Sequence, residues 1–499
     1  MKKALVLVSS ALVVAVLVAG LAGAFGTAGS PTVYASRLAG ISGAGITGIQ
    51  VQNLDASQSA TIVADFYNQK GGAAVPIQRP DVGAGASANI YLPAEPTLSN
   101  GAYAAIISAD RQIAAIARTD WGNSGAAAIY SNVQPGLDVS LPLAVKGYVN
   151  QTSLVSIQNT DTGTQANVTV EFYKAGDPNP MKTTTVSIGP GTSTTIDLGK
   201  HPDFATVPPG TLGAMKFTAN VAVGVQSFID IENSPKGVYA FEGVPSEQAA
   251  PKLYAPLVRA KFFGTTGISV VNPGNNPVMV KVTYIGSDLS TAAAKAAGCT
   301  GGATIVHNNN QAVQINAKSS AVFYSENLNI PALGTGASGM PDGCLASAVI
   351  EATGGNILGI VNDANLTAGT SAAYNAVSDA GGAKKVALPL YRNKHTAAEL
   401  STGIQAMNIG SGPANVTLEI KDDKGTVISQ SCGGQCTQTI QPNASYTWYP
   451  PGMSSQASYS GKYGSATLTS NQNLAVIVND ASGKGTLDAA IYNGIKADN

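Results

Sequence analysis

Leu154-Val-Ser-Ile-Gln-Asn159 and, beyond a polar turn, Val168-Thr-Val-Glu-Phe-Tyr173 decide the fold. Both are short runs of β-branched and apolar residues with a period of two, and Asn, Asp and Gly separate them, which is strand–turn–strand chemistry. The pattern recurs along the chain. An Asn closes such a strand at Asn53, Asn159, Asn272 and Asn408, and an apolar residue ends the next one at Phe66, Phe172, Tyr284 and Ile420. A Ser follows a tight turn at Ser87, Ser193, Ser320 and Ser445. Gly101, Gly210, Gly343 and Gly461 then open a strand of small and apolar residues, which reaches Asp120, Asp230, Asp363 and Asp480. An aromatic completes each unit: Tyr130, Phe241, Tyr374, Tyr492.

The later copies open with Pro142-Leu143, Pro256-Leu257 and Pro389-Leu390, and Ser36 holds the matching place in the first. Strands at spacings near ten residues predict an all-β chain of four tandem antiparallel β-sandwich domains, each with seven or eight short strands. The expected boundaries are residues 36–137, 138–248, 249–380 with loop insertions, and 381–499. Units of roughly 100–135 residues can each bury a core. Short linkers such as Ser378-Asp-Ala-Gly-Gly-Ala-Lys-Lys385 predict an extended array. The organisation resembles the tandem immunoglobulin-like β-sandwiches of bacterial cell-surface proteins. That resemblance implies a spacer, adhesive or assembly role.

Composition narrows the function. Lys and Arg number 28 against 29 Asp and Glu in 499 residues, and charged residues are 11% of the chain, less than half the usual share of about 25%. A near-neutral chain offers a phosphate backbone no electrostatic footprint, so nucleic acid is excluded as a partner. At 44% hydrophobic residues, it is not a disordered chain either. Lys2 and Lys3, the apolar stretch Ala4 to Phe25 and the small-residue pattern Val33-Tyr34-Ala35 read as a signal peptide over residues 1–35. Cleavage is expected after Ala35, with Ala24 the second choice. The mature chain is then secreted or cell-surface, with no membrane span.

Four cysteines follow the export segment, so disulfides are expected. Placement by copy pairs Cys299 with Cys344 and Cys432 with Cys436. Three histidines (His201, His307, His395), far apart in sequence, argue against histidine-pair catalysis. Asp161-Thr162-Gly163-Thr164 matches the loop of aspartic proteases, but that chemistry needs two carboxylates sharing a proton, and the tetrad stands alone in an Asx-type turn. Asp120, Asp230, Asp363 and Asp480 are read as strand-end residues capping their own turns, since a calcium cage wants six to eight oxygens. The recurrent serines have no histidine at a matching offset and read as turn residues. Trp121 is the candidate stacking platform for a sugar, whereas Trp448 reads as a core or sheet-face residue.

The expected function is therefore non-enzymatic, with no cofactor and no metal: a surface layer, filament, sheath or adhesive stalk that self-associates through sheet edges or domain ends. The second expectation is a carbohydrate- or ligand-binding array, with a cell-surface glycan as partner and the specific site in the long loops of the third repeat, Ser290–Thr304.

Overall fold

The structure, a computed structural model, describes residues 29–38, 45–121, 126–231, 237–326, 339–365, 370–428, 434–449, 460–482 and 489–497. The first stretch holds β1 (Ser30–Leu38), β2 (Ile46–Asn53), β3 (Ala60–Asn68), β4 (Val75–Val82), β5 (Ser87–Tyr91), β6 (Tyr103–Trp121) and β7 (Ala126–Ser131). Every pairing among them is antiparallel. The order is β4-β3-β6-β2-β5, with β1 and β7 also on β6. The early half of β6 pairs with β3 and β1, and the late half with β2 and β7. One long strand thus joins two sheets, β4-β3-β6-β1 and β5-β2-β6-β7.

The same connectivity returns in three further stretches. The counterparts of β6 are Thr211–Ile231, Lys462–Ser482 and, in the third stretch, the pair Cys344–Thr353 and Leu358–Asn365. These strands are twice the expected length, running through polar residues near their middle such as Asp110, Asn220 and Asn471 without turning. In the third stretch Gly354, at φ 90°, and Gly355 interrupt it, and the two halves fall into separate sheets.

The landmark residues fall at equivalent places. Asn53, Asn159 and Asn408 end the second strand, and Asn272 follows it directly. Ser87, Ser193, Ser320 and Ser445 begin the fifth strand. Gly210, Gly343 and Gly461 sit at φ 82–83° immediately before the sixth strand or its first half, a backbone region that favours glycine.

Two features differ from expectation. The first is the boundary after Ala35. β1 runs through it: Val33 and Ala35 are buried core residues, and Tyr34 and Ala35 pair with Ile106 and Ala105. Ser36 does match Pro256 and Pro389, because the neighbouring carbonyls of Arg37, Leu257 and Leu390 all accept from the aromatic landmark's hydroxyl. The strand begins upstream of that match, so residues 30–35 stand within the first sandwich. The remainder of the export segment, with Ala24, lies outside the described residues.

The second concerns the extended array. The seventh strands, Ala126–Ser131, Val238–Glu242, Thr370–Asn375 and Ala490–Asn493, pack against one another in cyclic order. Each core takes in residues of the following stretch. Ala240 joins the first core, Ala373 the second, Ile491 the third, and Ile129 of the first stretch joins the fourth. Each of these residues directly precedes the aromatic landmark, so strand alternation sends the aromatic into its own core and its neighbour into the preceding one. The Gly29 amide donates to the Lys496 carbonyl at 2.7 Å, tying the first and last stretches together. The chain is a closed ring of four packed stretches.

Candidate functional site

The recurrent polar residues resolve first, because they look most like a site. Asn159 Nδ2 donates to the carbonyls of Thr164, Ile188 and Gly189 at 2.7–3.2 Å, and its Oδ1 accepts from the Asp161 amide at 3.0 Å. Asn53 and Asn272 repeat all four bonds, and Asn408 repeats three. All four are fully buried. They brace the turn after the second strand against the end of the fourth-strand segment.

Asp161 Oδ1 accepts from the Gly163 and Thr164 amides at 2.8 and 2.7 Å, and these bonds hold its carboxyl below the ordinary range. Asp55 does the same with Ser57 and Gln58 at the equivalent turn. Three of the serines accept a glutamine amide: Ser87 from Gln50, Ser445 from Gln405 and, between stretches, Ser193 from Gln69.

Three of the recurrent aspartates are held in ion pairs. Each lies inside its strand and pairs across to the seventh strand. Asp363 binds Arg259, and Asp480 binds Arg392 at 3.0 Å, the two arginines standing at equivalent positions on the first strand. Arg118 holds Asp120 at 2.7 Å and reaches into the fourth stretch to Asp480, also at 2.7 Å. Asp230 is exposed.

Trp121 is half-buried. It packs edge-on against Phe228 of the second stretch at 6.3 Å and leans on the first core. Trp448 is buried, with its Nε1 donating to the Gln435 carbonyl at 3.0 Å.

Cys299 and Cys344 form a disulfide with a Cα–Cα distance of 5.9 Å. Cys436 is also disulfide-bonded, and Cys432 lies outside the described residues. The third-repeat excursion over Ser290–Thr304 folds back on its own sandwich. The Thr291 amide donates to the Gly343 carbonyl, and Ser290 Oγ both accepts from the Leu345 amide and donates to its carbonyl. No residue of that excursion lines either of the two clefts below.

Two sites were missed by sequence reasoning. The first lies where the seventh strands meet. Ser131, Glu242, Asn375 and Asn493 each directly follow the aromatic landmark, and they form one linked set across all four stretches. Glu242 Oε1 accepts from the Ser131 amide at 2.6 Å and its hydroxyl at 3.2 Å, and Oε2 accepts from Asn375 Nδ2 at 3.4 Å. The Asn375 amide donates to Asn493 Oδ1 at 2.9 Å, and Asn493 Nδ2 returns a bond to the Asn375 carbonyl at 2.7 Å. Burial pushes the Glu242 carboxyl up to about 7. The available signal was a polar residue ending an otherwise apolar strand in every copy.

The second missed feature is a pair of clefts between stretches. Between the fourth and first, a cleft of about 420 Å³ is lined by Arg118, Asp120, Arg392, His395, Tyr91 and Tyr463. Burial, then the Arg392 charge, keeps His395 below its ordinary value. Between the second and third, a cleft of about 560 Å³ is lined chiefly by apolar surface and rings, including Tyr148, Tyr239, Phe263 and Tyr324. Both pair a first strand of one stretch with the outer sheet face of the next. No cluster of three or more His, Cys, Asp or Glu suited to a metal occurs among the described residues.

Comparisons with known proteins add no family. No protein-family model matches the chain. No curated protein sequence matches it either. Among solved structures, an anti-sigma factor domain-containing protein aligns over 87% of this chain and 96% of its own, at 9% identity and a TM-score of 0.12.

Proposed function

We propose that the protein is an exported, non-enzymatic scaffold of the cell surface that presents a rigid ring for contact with other molecules. One observation carries this reading: the recurrent Asn, three of the recurrent Asp and three of the recurrent Ser are engaged in bracing turns, ion pairs and interface bonds. What repeats along the chain serves shape. Export rests on the basic start and apolar stretch, and processing at the second-choice site Ala24 is the version that leaves β1 whole.

Self-association takes a narrower form than first expected. End-to-end domain contacts of a head-to-tail array close on themselves inside the ring, and a closed heterologous interface does not propagate. Sheet edges remain. Pro180–Ile188 is an outer strand that alternates exposed and partly buried residues, while the equivalent edge β4 carries Pro76 and Pro80, which block pairing. Light scattering and negative-stain imaging of the secreted native protein should show ring-shaped particles joined laterally. A strict monomer at high concentration would defeat the assembly reading. A second reading, an extracellular ligand-binding ring, is favoured by the ring-lined cleft between the second and third stretches.

A further inference from the structure

We infer that the 560 Å³ cleft between the second and third stretches binds a short uncharged oligosaccharide, which rests on that second reading and names its site and ligand class. The volume lies within the range of about 300–1,000 Å³ typical of small-ligand sites. Its two rims carry the same anomaly. Val149 is 62% exposed at φ 50°, and Phe263 is 78% exposed at φ 55°. Left-handed backbone is strained for a β-branched or bulky residue, and neither side chain gains burial from folding. The turn between the first and second strands is left-handed in the fourth stretch too, at Lys394 and Thr396, so what sets this cleft apart is that apolar side chains stand exposed at those turns. A sugar ring, with an apolar face and hydroxyl edges, fits between such rims and the rings of Tyr148 and Tyr324.

The polar lining selects against charge. Lys261 Nζ lies 3.3 Å from Glu326 Oε2 and 2.9 Å from Asp342 Oδ2, so the cation in the cleft lining is met by two carboxylates and offers nothing to an anionic ligand. Asn362, also in the lining, brings a polar amide side chain and no charge. The corresponding cleft between the fourth and first stretches is lined instead by Arg118, Asp120 and Arg392, so the gap recurs while its chemistry does not. A peptide strand fits less well. Gly267, Ser269 and Asn362 belong to the inner strands Thr265–Val271 and Leu358–Asn365, so the floor is a sheet face and offers no row of free backbone groups for strand addition.

The test is calorimetric titration of the full secreted chain with cello-, malto-, laminari-, manno- and chitohexaose, and with an anionic galacturonate hexamer. At least one neutral hexamer should bind at a single site with a Kd of about 1 mM or tighter, and the anionic one should not. Phe263→Ala and Tyr324→Ala should each weaken binding by about tenfold or more. Tyr449→Ala, which removes an exposed ring outside the cleft, should leave binding unchanged. Unfolding temperatures of Phe263→Ala and wild type should coincide. Binding that survives Phe263→Ala and Tyr324→Ala overturns the cleft assignment while sparing the second reading. If none of the neutral hexamers binds, both fall. Preferential binding of the galacturonate hexamer overturns the ligand class.

Discussion

Asn159 satisfies three carbonyls and one amide from a fully buried position, and no other side chain could do so. An aspartate there accepts but cannot donate, and an alanine leaves every group orphaned. Asn159→Ala should therefore destabilise the protein by about 3 kcal/mol, from unsatisfied buried groups costing about 1–3 each, measured as a fall in urea midpoint. Glu242 makes a prediction of opposite character. Its hydrogen-bond partners Ser131 and Asn375 are uncharged, so burial dominates and the folded pKa rises from 4.5 to about 7. The folded state holds the proton more tightly. Its stabilising contribution is therefore complete below about pH 4.5 and is lost as pH rises through about 7. Glu242→Gln should flatten the decline of unfolding temperature across that window, and an unchanged pH profile would refute the assignment.

At the scale of elements, β1 and the third-repeat excursion carry the clearest tests. If the protein is exported and processed as proposed, N-terminal sequencing of the mature form should find a first residue at or before Gly29. A chain truncated to Ser36 would lose the buried Val33 and Ala35 and the pairing of residues 30–35 with β6. It should be poorly expressed or unfolded. The Cys299–Cys344 bond spans 45 residues of sequence. In the chain-entropy account, a loop of that length contributes about 4 kcal/mol. Cys299→Ser with Cys344→Ser should lower the unfolding midpoint accordingly, while leaving carbohydrate binding intact because neither residue lines the cleft.

For the whole molecule, closure of the ring is the property under test. Small-angle scattering should give a radius of gyration of about 23 Å, the value for a compact body of this length. An extended string of four sandwiches would be roughly twice that. Asp480 is the ionic clasp between the ends, since it holds Arg392 of its own stretch and Arg118 of the first. Asp480→Asn leaves two buried guanidiniums short of a partner, and the cost of breaking a buried pair is about 3–5 kcal/mol. Its effect should be non-additive with Arg118→Met, which removes one of the stranded charges.

The amino-acid sequence by itself determined the all-β fold, the repeating Asn, Ser, Gly, Asp and aromatic landmarks, and the Cys299–Cys344 pairing. These depend on local period, turn chemistry and spacing, which a chain carries wherever it folds. Closure was harder to see, although a trace was present. Ala126-Ala-Ala-Ile-Tyr130 and Leu474-Ala-Val-Ile-Val478 are apolar on both faces, the mark of strands covered on both sides. Short linkers were read as spacers when they were ring joints. Only the tertiary structure decided that Ile129 completes the fourth core, that Glu242 meets two other stretches, and that the clefts lie between repeats and not in the long loops. Those contacts join residues one or more repeats apart, and a pattern within one repeat holds no record of which copy will face it.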